Sequence, residues 1–194
     1  MNTPAHVVLN LALLRSRDVE KQRLCFWAVM VGALLPDLPM FYFFVVEVFF
    51  NQQPQSVIWN ELYFESHWQN FFDLFNSIPL ILLVGVIAWI YKNTFAVFVC
   101  ASMLLHVAFD LPLHHDDGHH HFYPFLSWRF DSPLSYWDPN HYGRIIGALE
   151  GLMTVVCCGV LFYRSSTLIA RIVTSMMGLL YSAGFIAAAS GAFF

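Results

Sequence analysis

Apolar residues run almost unbroken over 24–50, 71–91, 94–113, 145–163 and 168–193, with polar and charged residues gathered between the runs. Each run is long enough to cross a hydrocarbon core, which takes about 20 helical residues. The pattern predicts an all-α polytopic membrane helix bundle of about five spans. Ahead of it, Thr3-Pro4 reads as a helix N-cap followed by proline at the first helical position, opening a short apolar helix from Ala5 to Leu14. That helix is too short to cross. No repeat, linker or second domain divides residues 1–194.

Basic residues set the expected orientation. Arg15, Arg17, Lys21, Arg23, Lys92, Arg164 and Arg171 fall on one side of the spans, and only Arg129 and Arg144 on the other. By the positive-inside rule the N-terminus is expected in the cytoplasm, with 51–70 and the His-rich loop 114–144 on the opposite face. Trp59, Tyr63, Trp68, Tyr123, Trp128, Tyr136 and Trp137 suit an interface there. Composition agrees: 58% of the 194 residues are hydrophobic and 11% charged, against roughly 25% charged in a soluble domain. A net charge of −4 excludes a basic surface for nucleic acid. Cys25, Cys100, Cys157 and Cys158 lie in apolar segments without metal-type spacing and read as buried hydrophobes.

The chemistry appears when polar residues are measured from the basic ones. Asp37, His106 and Glu150 each lie fourteen residues from Arg23, Lys92 and Arg164, and Asn76 sixteen from Lys92. At about 1.5 Å per residue they share a layer about 21–24 Å above that ruler, with His6 roughly a turn lower. Asp110 follows His106 at i+4, so one helix face carries both and can grip an ion. Asp73 falls near Asp110, so the second span offers Asp73 and Asn76 rather than His67. An ionised side chain at such depth costs at least about 2.5–3.5 kcal/mol, so several together call for a cation. Imidazole and carboxylate donors suit Zn²⁺, Fe or Mn²⁺. Pro36 and Pro39 are expected to break the first span around Asp37 and open a polar cavity.

The layout His6, Leu35-Pro36-Asp37, Asp73-x-x-Asn76-Ser77 and His106-x3-Asp110 followed by His114 resembles the bacterial membrane-bound metal-dependent hydrolase family. That family is similar in turn to zinc-dependent phospholipases C. The stretches HHDDGHHHFYPF and SPLSYWDPNHYG also resemble a subgroup of small membrane proteins. The resemblance covers most of residues 1–150 and implies one or two divalent ions held by Asp37, His106 and Asp110, with His6 and His114 as further ligands. It also implies a bacterial inner-membrane location and a lipid or lipid-linked phosphoester as substrate. Where the family pattern has His before Ser77, this chain has Asn76, which can orient water or donate to an oxyanion. The amino-terminal ligand of the soluble relatives is not carried over, because Met1 before bulky Asn2 is expected to be retained. Glu150, without a basic partner in its span, is the candidate general base.

Three classes remain open at this point: a membrane-embedded hydrolase, a transporter relaying protons or a divalent cation through the same His/Asp cluster, and a non-catalytic metal protein. The absence of an intramembrane acid below the shared layer disfavours transport. Gly143, Gly147 and Gly151 at spacing four read as close helix packing.

Overall fold

A computed structural model of the chain describes residues 1–14 and 21–190. Arg15 and Arg17, used for the expected orientation, lie outside them, as does the end of the expected last span. The described residues are all helical and loop, without a strand. Proline at the first turn starts α1 (Thr3–Leu13). The N-cap position belongs to Asn2 rather than Thr3, because the Thr3 hydroxyl is drawn instead to Asp37 Oδ2 at 2.5 Å. Along its length α1 buries Ala5, His6, Val8, Leu9, Asn10 and Ala12. It packs against α2 (Gln22–Leu34), α7 (Thr94–Asp110) and α8 (Gly143–Arg164).

The first long apolar run is two helices. Pro36 and Pro39 interrupt it as predicted, so α2 stops and α3 (Leu38–Val45) starts afresh, the pair bent by 52°. The end of α3 widens into a π-helical turn, Val46–Phe50, closed by Asn51 N–H donating to the Val46 carbonyl. After the short α4 (Gln55–Asn60), α5 (Ser66–Asn76) leads into α6 (Ile78–Ile90). At the join, the Ser77 hydroxyl accepts from Leu80 N–H and Pro79 occupies the first turn of α6. The helix α7 is capped by the Asn93 side chain on Ala96 N–H. The loop from 114 to 142 contains only a 3₁₀ turn, Pro139–His141, before α8 and α9 (Leu168–Ser190) close the chain.

Five spans were expected, and the described residues hold three helices long and apolar enough to cross a membrane: Ser66–Ile90, Gly143–Arg164 and Leu168–Ala187. The bent α2–α3 pair counts as a fourth if taken as one span. The apolar run 94–113 does not qualify, because its helix ends at Asp110 after 17 residues, about 26 Å of rise against a hydrocarbon thickness of about 30 Å. What ends α7 is the sequence Leu111-Pro112-Leu113, whose proline cannot continue the ladder.

Tight contacts hold the bundle. Gly32 lets α2 approach α7 until a Cβ built on it would stand 2.2 Å from the Val99 carbonyl oxygen. Ser102 rivets three helices: its hydroxyl donates to the Val29 carbonyl at 2.7 Å and accepts from Asn10 Nδ2 at 2.9 Å. Of the three spaced glycines only Gly151 packs on another helix, a Cβ there meeting Phe185 across the α8–α9 seam; Gly143 and Gly147 face the loop backbone at 136–138. At the loop end, Phe43, Ile58, Tyr63 and Phe72 form an aromatic core. Tyr63, expected at an interface, is therefore buried, and its hydroxyl donates to the Asp117 carbonyl at 3.0 Å. Among the described residues no disulfide joins the four cysteines, and Cys25, Cys100 and Cys158 are buried.

Candidate metal centre

Asp110 is the hub. It ends α7, is 4% exposed, and gathers four nitrogens: the amino nitrogen of Met1 at 2.6 Å, His6 Nε2 at 2.9 Å, His106 Nε2 at 3.0 Å and His114 Nε2 at 3.8 Å. His6 was expected a turn below His106. The structure stacks the two rings instead, 3.6 Å apart and 11° from parallel, because α1 is inserted among α2, α7 and α8. His6, His106 and Asp110 bring one ligand atom each to within 4.8 Å of one another, all buried. Asp37, from the proline break, adds Oδ1 at 3.4 Å from His106 Nε2.

The hydrogen bonding of His106 suits the group to hold a cation. Its Nδ1–H donates to the Ala33 carbonyl at 2.9 Å, which in a neutral ring leaves the lone pair on Nε2. That nitrogen faces two carboxylates and makes no well-formed hydrogen bond. Lone pairs pointed at lone pairs are relieved by a second proton on the ring or by a cation among them. Fixing the far nitrogen on a carbonyl is also the device that orients metal-ligating histidines. The donor set of imidazoles and carboxylates fits a borderline divalent ion.

The other sequence candidates fall in two places. Glu150 lies next to α1: its Oε1 accepts from Asn2 N–H at 3.1 Å and Asn2 Nδ2 at 2.8 Å, while its buried Oε2 has no hydrogen-bond partner among the described residues. Asn76 gives its amide N–H groups to the Pro36 and Phe72 carbonyls, so it braces the proline break. The structure does not join Asp73 to His106. Asp73 is fully buried under the loop, accepting from His120 N–H at 2.8 Å and His120 Nδ1 at 2.6 Å, with His119 Nδ1 at 3.7 Å. His114 lies between the two groups, reaching Asp110 on one side and Asp117 Oδ1, at 3.0 Å, on the other. His67 stays exposed beside Glu65.

Several supporting residues escaped the sequence reading. Thr3 and Asn2 orient the two acids, Asn10 and Ser102 fix α1 on α7, and Tyr136 packs its ring 5.3 Å from His114. Only Asn10 carried a signal, lying at i+4 from His6 on one face of an apolar helix.

Outside the membrane segments, burial lowers the His114 imidazole, but hydrogen bonds to Asp110 and Asp117 outweigh it and hold it up at about 9. The reverse holds for His121: burial, helped by His119, lowers it to about 4. A depressed histidine favours the folded state above its free value of 6.5 and withdraws that support as pH falls through 4. The window is worth about 3 kcal/mol in total. His121→Asn keeps a donor for the Asn76 carbonyl but does not titrate. It is expected to flatten the fall of melting temperature between pH 6.5 and 4; an unaltered slope would show that acid acts elsewhere.

A surface cavity of about 720 Å³ opens at the start of α8, lined by Asn140, Arg144, Leu149 and Phe185 among others, with no metal-ligating side chain. It is separate from the buried centre. Comparison with protein-family models, curated proteins and solved structures finds no match to this chain.

Proposed function

We propose that the chain is a membrane-embedded metal-dependent hydrolase acting on a lipid or lipid-linked phosphoester. The observation that carries this reading is the His106 Nε2 lone pair, fixed by the Ala33 carbonyl and turned on Asp37 and Asp110 in a buried, three-helix setting. His6, His106 and Asp110 hold the ion, with Asp37 as the fourth ligand and His114 within reach of the same carboxylate. Zinc is favoured by the donor set, with iron or manganese as the other candidates. When bound, the ion supplies a Lewis acid that polarises a phosphoryl or acyl oxygen and lowers the pKa of water towards about 7.

The protein's own part is positioning and proton movement. Glu150 takes the proton of the attacking water on Oε2, the oxygen that Asn2 leaves free. Asn76 has its amide nitrogen committed, so its buried Oδ1 serves to orient water by accepting. The apolar flanks of the bundle, exposed along α6, α8 and α9, favour a lipid-borne substrate over a soluble one. Elemental analysis of the detergent-purified protein tests the reading. About one transition metal per chain is expected in the parent and none in His106→Ala or Asp37→Ala. Metal retained in both variants, or missing from the parent, removes the chemistry.

The 52° break at Pro36 favours a second reading, in which the same groups pass a divalent cation or protons across the membrane. Cation uptake into vesicles containing the protein, abolished by Asp37→Ala, would select it.

A further inference from the structure

The cavity of about 720 Å³ at the start of α8 has one cationic side chain and no acidic one among its lining residues. Its volume falls within the range of small-ligand sites, about 300–1,000 Å³. Arg144 supplies the charge, Asn140 and Tyr142 stand beside it with polar groups, and Ile145, Leu149 and Phe185 form an apolar wall. Among the described residues the Arg144 guanidinium makes no hydrogen bond, ion pair or ring contact. Asp138 does not neutralise it: Oδ1 accepts from Asn140 N–H at 2.9 Å and Oδ2 lies 2.6 Å from His141 Nδ1.

Arg144 is the second residue of the 22-residue α8, whose first turn carries no acid and whose N-cap residue makes no side-chain hydrogen bond. A guanidinium beside the positive end of a helix dipole is relieved by an anion. Beyond it the apolar wall runs on along the helix, because Ile145, Leu149, Leu152 and Val156 recur at spacings of four, three and four and are 59%, 49%, 48% and 58% exposed. One face of α8 thus carries a cation at the head of an apolar track. That profile matches a phosphodiester with an acyl chain attached, and without an acidic side chain in the cavity the ammonium of a choline or ethanolamine headgroup would find no counter-charge. Glu150, on the same helix, turns instead to Asn2 beside α1. We infer that this cavity binds one anionic phospholipid, Arg144 holding the phosphodiester and the stripe from Ile145 to Val156, with Phe185, carrying an acyl chain. It is a lipid-binding site separate from the His106 centre.

Native mass spectrometry of the detergent-purified full chain tests this, with dioleoylphosphatidylglycerol, dioleoylphosphatidylcholine and inorganic phosphate as the probes. One phosphatidylglycerol per chain is expected, bound about tenfold or more tightly than phosphatidylcholine, with phosphate alone weaker still. Arg144→Gln is expected to weaken phosphatidylglycerol by roughly tenfold or more, and Arg144→Lys, which keeps the charge without the planar fork, to recover part of the loss. Leu149→Gln, placing an amide in the acyl track, is expected to weaken the lipid and leave phosphate unchanged. Arg144 and Leu149 are both exposed, and circular dichroism of each variant separates a lost site from a lost fold. Equal binding by the parent and Arg144→Gln, or equal binding of the two lipids, overturns the site. Phosphate binding as tightly as phosphatidylglycerol makes it an anion site and overturns the lipid. Phosphatidylglycerol that disappears in His106→Ala sits at the buried centre as substrate, which also overturns a separate site. A parent that holds no metal yet keeps Arg144-dependent lipid sinks the hydrolase reading and leaves this one standing.

Discussion

Replacing Asp110 with alanine is expected to empty the metal centre and to lower stability by about 3–5 kcal/mol, the usual result of removing one side of a buried charged network. The carboxylate faces Met1 N, His6 Nε2, His106 Nε2 and His114 Nε2, and in its absence four nitrogens are left in a site that admits almost no water. Asp110→Asn separates the two effects. Its carbonyl still accepts one or two of those hydrogen bonds, so most of the fold's stability should survive while metal is lost. Thermal melts in detergent beside zinc content measure both. An alanine variant that melts like the parent would mean that the hub contributes nothing to folding.

The second large effect is expected far from any ligand, at Gly32. A methyl group there would lie 2.2 Å from the Val99 carbonyl oxygen and 2.7 Å from Ser102 Cβ, and both belong to a helix that cannot yield locally. Gly32→Ala must therefore push α2 off α7, at about 1–3 kcal/mol, and Gly32→Val by more. The displaced segment carries the Val29 carbonyl that receives Ser102 and the Ala33 carbonyl that fixes His106. Metal affinity should fall together with stability. Gly159→Ala, whose added methyl meets nothing within 4 Å, is the control and should melt at or slightly above the parent temperature. A Gly32→Ala protein that keeps its metal would show that the helix pair tolerates separation without disturbing His106.

Both effects concern residues of very different legibility. Asp110 announces itself in the sequence, since an acid at i+4 from a histidine inside an apolar run has few uses. The role of Gly32 is invisible there, because a glycine in an apolar helix looks the same whether it faces lipid or a neighbouring backbone. His6 was readable as a polar residue on a short helix, but its height was misjudged by a turn. Its stacking on His106 depends on where α1 is inserted, which is decided by packing against α2, α7 and α8. The five expected spans erred for a related reason. Hydropathy measured the apolar run to 113, while Pro112 decides where the α7 ladder stops.

What the sequence alone determined is the helical fold with helices long and apolar enough to cross a membrane, the break at Pro36 and the grouping of Asp37 and Asp110 with His106. These follow from hydropathy, proline chemistry and a fixed rise per residue, all of which act within one segment. What only the tertiary structure decided is partnership: Asp73 with His119 and His120, Asn76 with the broken backbone at Pro36, and His115 with His141. The histidine pairings are made by the loop from 114 to 142, which lacks any regular period, and the Asn76 pairing by the packing of α5 on the proline break, so side chains far apart in the chain meet through packing that no local pattern encodes.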